Sequence, residues 1–189
     1  MTELELIELL KQKNEPAFKT IVNTWKDMVF NTALGIVQNA EDAEDLCQDV
    51  FVRVYESVHT FKGDSKLSTW IYRITVTQSL DHLRRKKRKK RFAFIESLFS
   101  KNDELINDPP DFVHPGVIAE KKEDAKKLFK AIADLPEKQN IAFVLNKIEG
   151  LSYQQISEIM KMSESAVDSL LHRAKINMRK RLQNYYLQN

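Results

Sequence analysis

Three groups of side chains in this sequence have the types and spacing to do chemistry. The first is acidic. Glu41, Asp45 and Asp49 recur every four residues, with Asp42 and Gln48 beside them. At 100° per residue, Glu41, Asp45, Gln48, Asp49, Val52 and Glu56 share roughly a third of a helix circumference. Such a stripe fits a solvated charged face, a docking surface for a basic helix, or one wall of a metal-dependent nuclease site. The second group is cationic: Arg84, Arg85, Lys86, Lys87, Arg88, Lys89, Lys90 and Arg91 form an unbroken run. Like charges repel, so the run is expected to fray unless phosphates neutralise it and release counterions. The alternative is a solubilising segment. The third group is aromatic. Phe61, Trp70 and Tyr72 surround a turn, and aromatic rings stack on unpaired bases at about 1–3 kcal/mol per base. Trp70 shares a face with Leu67, Ile71 and Ile74 and reads as core. That leaves Tyr72 and the loop Phe61-Lys62-Gly63-Asp64-Ser65-Lys66 as the candidates for base contact.

Other chemistries find little support. The four glycines, at positions 35, 63, 116 and 150, cannot compose a phosphate-cradling loop. The histidines at 59, 82, 114 and 172 share no ligand spacing, so no metal, cofactor or catalytic residue is expected. Cys47 is the single cysteine, which excludes an internal disulfide and suits a reducing compartment. It lies on an apolar helical face and reads as a buried, inert thiol. The acidic start of the chain lacks a signal-peptide pattern, and no apolar run approaches the roughly 20 residues of a membrane span. A cytoplasmic protein without membrane insertion is expected.

The net charge is only +3, but it is unevenly spread. Residues 1–83 hold 8 basic against 13 acidic side chains, 84–91 are all basic, 92–120 hold 1 against 6, and 121–189 hold 13 against 8. This asymmetry points to nucleic acid or another charged partner more than the total does.

The elements that must position these groups are helical almost throughout. Thr2 and Glu5 form a possible capping box for a short first helix, and Pro16 restarts the chain. Phe18, Ile21, Val22, Trp25, Met28, Val29 and Ala33 then recur at helical spacing. Asn39 is a plausible N-cap for a helix to about Thr60, with Ala43, Leu46, Cys47, Val50 and Val54 inward. Gly63-Asp64-Ser65 breaks it and starts another, which continues into the basic run. Residues 92–116 contain Pro109, Pro110 and Pro115 and read as a linker, with a helical turn at Phe92–Phe99. Periodicity resumes with Ile118, Ala125, Leu128, Phe129 and Ile132. Pro136 suits a first helical turn and Gly150 a C′ position.

Ser152 and Gln155 form a second capping box, opening a short helix Tyr153–Met160 with Ile156 and Ile159 inward. A turn, Lys161-Met162-Ser163, leads to a longer helix reaching about Leu182. Its inward stripe is Val167, Leu170, Leu171, Ala174 and Met178, and Ser165, Asp168, Ser169 and His172 lie opposite, with Arg173 at the edge. Short helix, tight turn and longer helix with a polar outer face fit a helix-turn-helix. Two packed helices of a bundle fit the spacing equally well.

Taken together, the segments resemble the extracytoplasmic-function group of bacterial sigma factors, from about Phe18 to Leu182 excepting the linker. Asp42-Ala43-Glu44-Asp45-Leu46-Cys47-Gln48-Asp49-Val50-Phe51 resembles the family's polymerase-binding segment of region two. Phe61-Lys62-Gly63-Asp64-Ser65 followed by Thr69-Trp70-Ile71-Tyr72-Arg73-Ile74 resembles its promoter-melting segment. Leu135-Pro136-Glu137-Lys138-Gln139 and Gly150-Leu151-Ser152-Tyr153-Gln154-Gln155-Ile156 resemble the opening of region four, and Leu171-His172-Arg173-Ala174-Lys175 the end of its recognition helix.

The resemblance implies an all-α protein of two small helical domains, residues 1–92 and 118–189, joined by a flexible acidic linker at 93–117. It implies a non-enzymatic subunit that binds core RNA polymerase through Glu41, Asp42, Asp45, Gln48 and Asp49. Promoter DNA would be read and melted at the −10 element by Phe61, Lys62, Asp64, Ser65, Tyr72, Arg73, Thr77 and Gln78. The basic run would hold phosphates, and Ser165, Asp168, Ser169, His172 and Arg173 would read the −35 element. Many relatives are held inactive by an anti-sigma factor, so such a partner is admitted here. The sequence departs from the family's pattern at Thr77 and Gln78, where an asparagine is frequent, and at Asp168, where a basic residue is frequent. Three other readings remain open on the residues alone: a nuclease using Glu41, Asp45 and Asp49, a self-sufficient helix-turn-helix repressor, and an interaction adaptor.

Overall fold

The computed structural model describes residues 2–99 and 127–187, and every element among them is helical. Helix α1 (Glu3–Lys11) opens on the Thr2–Glu5 capping box, with both reciprocal bonds made. Helix α2 (Glu15–Val37) is capped by Asn14, whose side chain accepts from the Ala17 N–H at 3.0 Å, and Pro16 sits in its first turn. Helix α3 (Ala40–Ser57) is capped by Asn39, which accepts from the Asp42 N–H at 2.7 Å. A 3-10 turn (Val58–Thr60) follows, then the loop at Gly63, whose φ of +80° suits glycine. Helix α4 (Leu67–Phe99) runs without interruption through the basic residues.

The described residues resume in helix α5 (127–133). Helix α6 (Glu137–Phe143) starts after Pro136, which stands one position outside it as the N-cap. It passes into a π-helical turn (Val144–Ile148), and Gly150 (φ +68°) ends the segment. Helix α7 (Tyr153–Met160) has the expected Ser152–Gln155 capping box. Lys161 turns the chain with φ 53° and ψ 53°, taking the left-handed conformation a glycine would hold more easily. Ser163 caps helix α8 (Glu164–Leu187) by accepting from the Ala166 N–H at 3.2 Å.

Residues 100–126 lie outside the described residues, and with them most of the expected linker, including its prolines, and the positions of Ile118 and Ala125. Helix α4 covers the remainder, so the helical turn expected at Phe92–Phe99 is its last part.

Two helical domains result, α1–α4 and α5–α8. The first has its own core, in which Leu10, Ile21, Val29, Val50, Val54, Leu67 and Ile71 are buried together. The second buries Ile141, Ala142, Leu145, Ile156, Ile159, Val167 and Leu171, and Tyr72 of α4 joins that cluster. A third cluster is shared outright. Ala33, Leu34, Ile36 and Val37 of α2 and Ala43 and Leu46 of α3 pack with Ala131, Ile132, Leu135, Val144, Ala174 and Met178. Residues 32–38 are all buried, so the end of α2 is covered on every side. A helix end that is apolar all round must be enclosed, and one domain of this size encloses only part of it.

Candidate polymerase-binding and nucleic-acid surfaces

Helix α3 divides as its spacing requires. Ala43, Leu46, Val50 and Val54 are buried to within 1% of full, while Glu41, Asp45, Gln48, Asp49, Val52 and Glu56 are exposed. Cys47 is half-buried and its thiol lies 3.8 Å from the Lys26 carbonyl. Burial pushes its pKa up, with Asp27 adding to the effect, which agrees with an unreactive thiol. Among the described residues no three His, Cys, Asp or Glu side chains gather as a metal-binding group. The nuclease reading of Glu41, Asp45 and Asp49 therefore lacks ligands from a second element.

The acidic and basic groups meet each other. Lys86 Nζ donates to Asp42 Oδ2 at 2.6 Å, and His82 Nε2 lies 3.2 Å from the same oxygen. Burial alone would raise the Asp42 carboxyl, but the Lys86 bond and the His82 and Lys86 charges outweigh it and hold the pKa below its ordinary value. Asp42, Asp45 and Asp49 line one depression with His82, Arg85, Lys86 and Lys89. Arg84, Arg85, Lys87, Arg88 and Arg91 line another, with Gln78 and Asp81, so that Arg85 borders both. The expectation that the run frays is thus corrected for the free chain. All eight basic residues are exposed yet helical; three of them, Arg85, Lys86 and Lys89, face the α3 carboxylates, and Arg84 pairs with Asp81 and Glu137, each at 3.3 Å.

The aromatic group is arranged differently from its expected exposure. Phe61 is buried at 8% and packs against Trp70, ring centroids 5.3 Å apart, so its ring belongs to the first core. Trp70 is half-buried. Tyr72 is buried at 7%, in a cluster made mostly of second-domain residues with Met28, Val76 and Leu80 of its own domain packed against it. Its hydroxyl donates to Glu149 Oε2 at 2.8 Å, and burial pushes both pKa values up. Arg73 donates through Nε and Nη2 to the Glu158 carbonyl at 3.2 and 2.9 Å. Lys62 and Asp64 are exposed and Ser65 partly so. Thr77 is exposed and donates to the Arg73 carbonyl; Thr77 and Gln78 line a groove with Asp49, Arg53 and Arg73. Sequence reasoning passed over Arg53, although it is the one basic residue in α3 and stands amid carboxylates.

The helix-turn-helix is assembled as spaced. Val167, Leu171, Ala174 and Met178 are buried and Leu170 is partly so. Ser165, Asp168, Ser169, His172 and Arg173 are all exposed on one side of α8. Arg173 Nε donates to the Ser169 carbonyl at 3.1 Å, which holds the guanidinium against the helix.

An all-α, two-domain protein with an open helix-turn-helix face and a basic helix beside an acidic one has the features of a nucleic-acid-binding factor with a protein partner. Comparison with known proteins makes the class specific. Sigma-70 region 2 matches residues 21–89 and the sigma-70 region 4 family matches residues 125–178. The chain is 29% identical to the ECF RNA polymerase sigma factor SigW of Bacillus subtilis over 182 residues, which is 94% of this chain and 95% of that relative. It is 27% identical to the ECF RNA polymerase sigma-E factor of Escherichia coli over 175 residues, 93% of this chain and 91% of that one. Among solved structures, CnrH in complex with the cytosolic domain of CnrY shares the fold with a TM-score of 0.68 at 18% identity, covering 96% of this chain and 97% of that one. The chain belongs to the sigma-70 family, in its extracytoplasmic-function group, and acts in promoter-specific transcription initiation.

Proposed function

We propose that this chain works as a non-catalytic subunit of RNA polymerase in the cytoplasm, with the division of labour its surfaces suggest. The acidic stripe Glu41, Asp42, Asp45, Gln48 and Asp49 docks on core polymerase. Lys62, Asp64, Ser65, Tyr72, Arg73, Thr77 and Gln78 engage the −10 element, and Phe61 supports that loop from the core. Arg84 through Arg91 hold phosphates, and Ser165, Asp168, Ser169, His172 and Arg173 face the −35 element. The observation that carries the reading is that α3 and α8 each turn an apolar face inward, with Ala43, Leu46, Val50 and Val54 and Val167, Leu171, Ala174 and Met178 buried, and leave a polar face open. An exposed face of that kind on a recognition helix presents side chains to base edges in a major groove. Among the described residues no helix is long and apolar enough to cross a membrane.

A protein inhibitor belongs to the same reading. CnrH was solved with the cytosolic domain of CnrY, and the sigma factor RpoE of Bartonella quintana with the anti-sigma factor NepR, and this chain shares their fold. Transcription in vitro tests the function. Core polymerase is given genomic fragments with and without this protein, and promoter-specific transcripts should require it. DNA cleavage by the protein with magnesium, or tight palindrome binding without polymerase, would replace this reading with the nuclease or the repressor.

A further inference from the structure

The loop that carries Lys62, Asp64 and Ser65 is held from its ends. Residues 62–66 are neither helix nor strand, and a Cβ at Gly63 would meet nothing within 4 Å. Before the loop, the Phe61 N–H donates to the Val58 carbonyl at 3.0 Å. After it, α4 begins at Leu67, and the Trp70 N–H donates to the Lys66 carbonyl at 3.2 Å. Phe61 and Trp70 join the two ends by ring contact.

The first turn of a helix has backbone donors with no partner inside the helix. A side-chain acceptor on the preceding residue commonly takes one of them. That residue here is Lys66, whose side chain only donates. The acceptor comes instead from α1: the Leu67 N–H donates to Glu3 Oε1, 64 positions earlier. A carboxylate also suits the positive end of the α4 dipole. Helix α1 is itself well anchored. Its capping box fixes the turn that holds Glu3, and the Lys13 and Asn14 N–H groups close its other end on the Leu10 and Leu9 carbonyls at 2.9 and 3.0 Å. Leu6, Ile7 and Leu10 are buried in one cluster with Val58, Phe61 and Leu67. Both ends of the loop thus rest on α1, which lies ahead of the segment matched by sigma-70 region 2.

We infer that Glu3 is a positioning residue for −10 recognition: from α1 it caps α4 and holds residues 62–66 in the shape that reads a base. The inference rests on the assignment of that loop to the −10 element proposed above. A preferred base draws its contacts from the ordered loop, whereas phosphate contacts are alike for every base. A loop ordered for a smaller fraction of the time therefore narrows the ratio between bases. Glu3 is exposed, so the fold should survive its replacement.

The experiment selects promoters with holoenzymes of the full chain from one library randomised over the −10 element and another over the −35 element. Glu3→Ala should narrow −10 discrimination by about two- to tenfold, the size of a lost helix cap. It should leave −35 preferences and competition for core polymerase unchanged, and speed hydrogen exchange at the Leu67 amide. Glu3→Gln keeps an oxygen acceptor and should stay near the parent. Glu8→Ala removes a charge of α1 that pairs with Lys11 at 2.8 Å, away from the loop, and should match the parent too. Weaker transcription from every promoter by Glu3→Ala, with unchanged base preferences, would make the cap merely structural and overturn the inference. Equal narrowing by Glu8→Ala would overturn it as well, because charge rather than the cap would then be responsible. Lys62→Ala and Asp64→Ala separate this from the underlying assignment. If they alter −10 selection and Glu3→Ala does not, only the positioning role falls; if none of the three alters it, the loop's −10 assignment falls with it.

Discussion

Replacing Lys87, Arg88 and Arg91 with glutamine removes three charges that face away from α3 into an open basic groove. Replacing Arg85, Lys86 and Lys89 removes three that line the depression with Asp42, Asp45 and Asp49, Arg85 bordering the basic groove as well. Each phosphate neutralised on duplex DNA contributes about 0.9 to the log–log salt slope. The outward triple variant should therefore lower the slope of promoter binding by about 2.7. Between 50 and 200 mM salt, that variant should lose about 40-fold less affinity than the parent does. The inward triple should lower the slope by less than half as much, because Lys86 already holds a carboxylate at 2.6 Å and has few counterions to release. Anisotropy of labelled promoter duplex bound by the protein without core polymerase, across a salt series, reads both slopes. Equal reductions would show that the carboxylates of α3 do not screen the run. No reduction in either would show that α4 meets no phosphates and serves only as a solvated helix.

Further outcomes follow from the same surfaces. Asp45→Lys with Asp49→Lys leaves the buried face of α3 intact, so the fold should persist while competition for core polymerase weakens by roughly several kcal/mol. Asp168→Ala should change the −35 bases selected from a randomised library rather than merely lower activity, since a carboxylate beside phosphates is favourable only where it accepts from a base or orients a neighbour. Leu171→Ala, at a position 1% exposed, should destabilise the second domain by about 2–5 kcal/mol, measured by denaturant titration. The depressed pKa of Asp42 means its pairing stabilises the fold above the ordinary carboxylate range, and that contribution is lost as pH falls through the lowered value. Asp42→Asn should thus lower thermal stability at neutral pH, by up to about 1 kcal/mol, with the difference vanishing in acid.

The parts of this fold legible in the sequence are those fixed by local rules. Thr2 with Glu5, Asn39, and Ser152 with Gln155 each satisfy backbone donors within three residues, and their helices start where these residues place them. The division of α3 and α8 into buried and exposed faces followed from period alone. What depended on distant partners did not. Nothing near Tyr72 announces that Glu149, 77 positions later, will cover it. Helicity of the basic run depends on carboxylates some forty residues earlier. Phe61 looked like a loop residue because its stacking on Trp70 spans the turn. One signal was available and unused: Ala33, Leu34, Gly35, Ile36 and Val37 leave α2 no polar side, and such a helix end requires cover from a second body.

The pairing of α3 with α4 also bears on how the protein is distributed inside a cell. A chromosome offers roughly 10⁶–10⁹ non-specific sites, and any basic helix is drawn to all of them. Here part of the basic run is engaged by the chain's own carboxylates, so bulk DNA competes for it at a disadvantage. Core polymerase, by taking up the acidic stripe, would remove that internal competitor and free the inward-facing cations. Under this arrangement the chromosome is a weak sink for the unassembled protein, and strong attraction to DNA arises together with the enzyme that uses it.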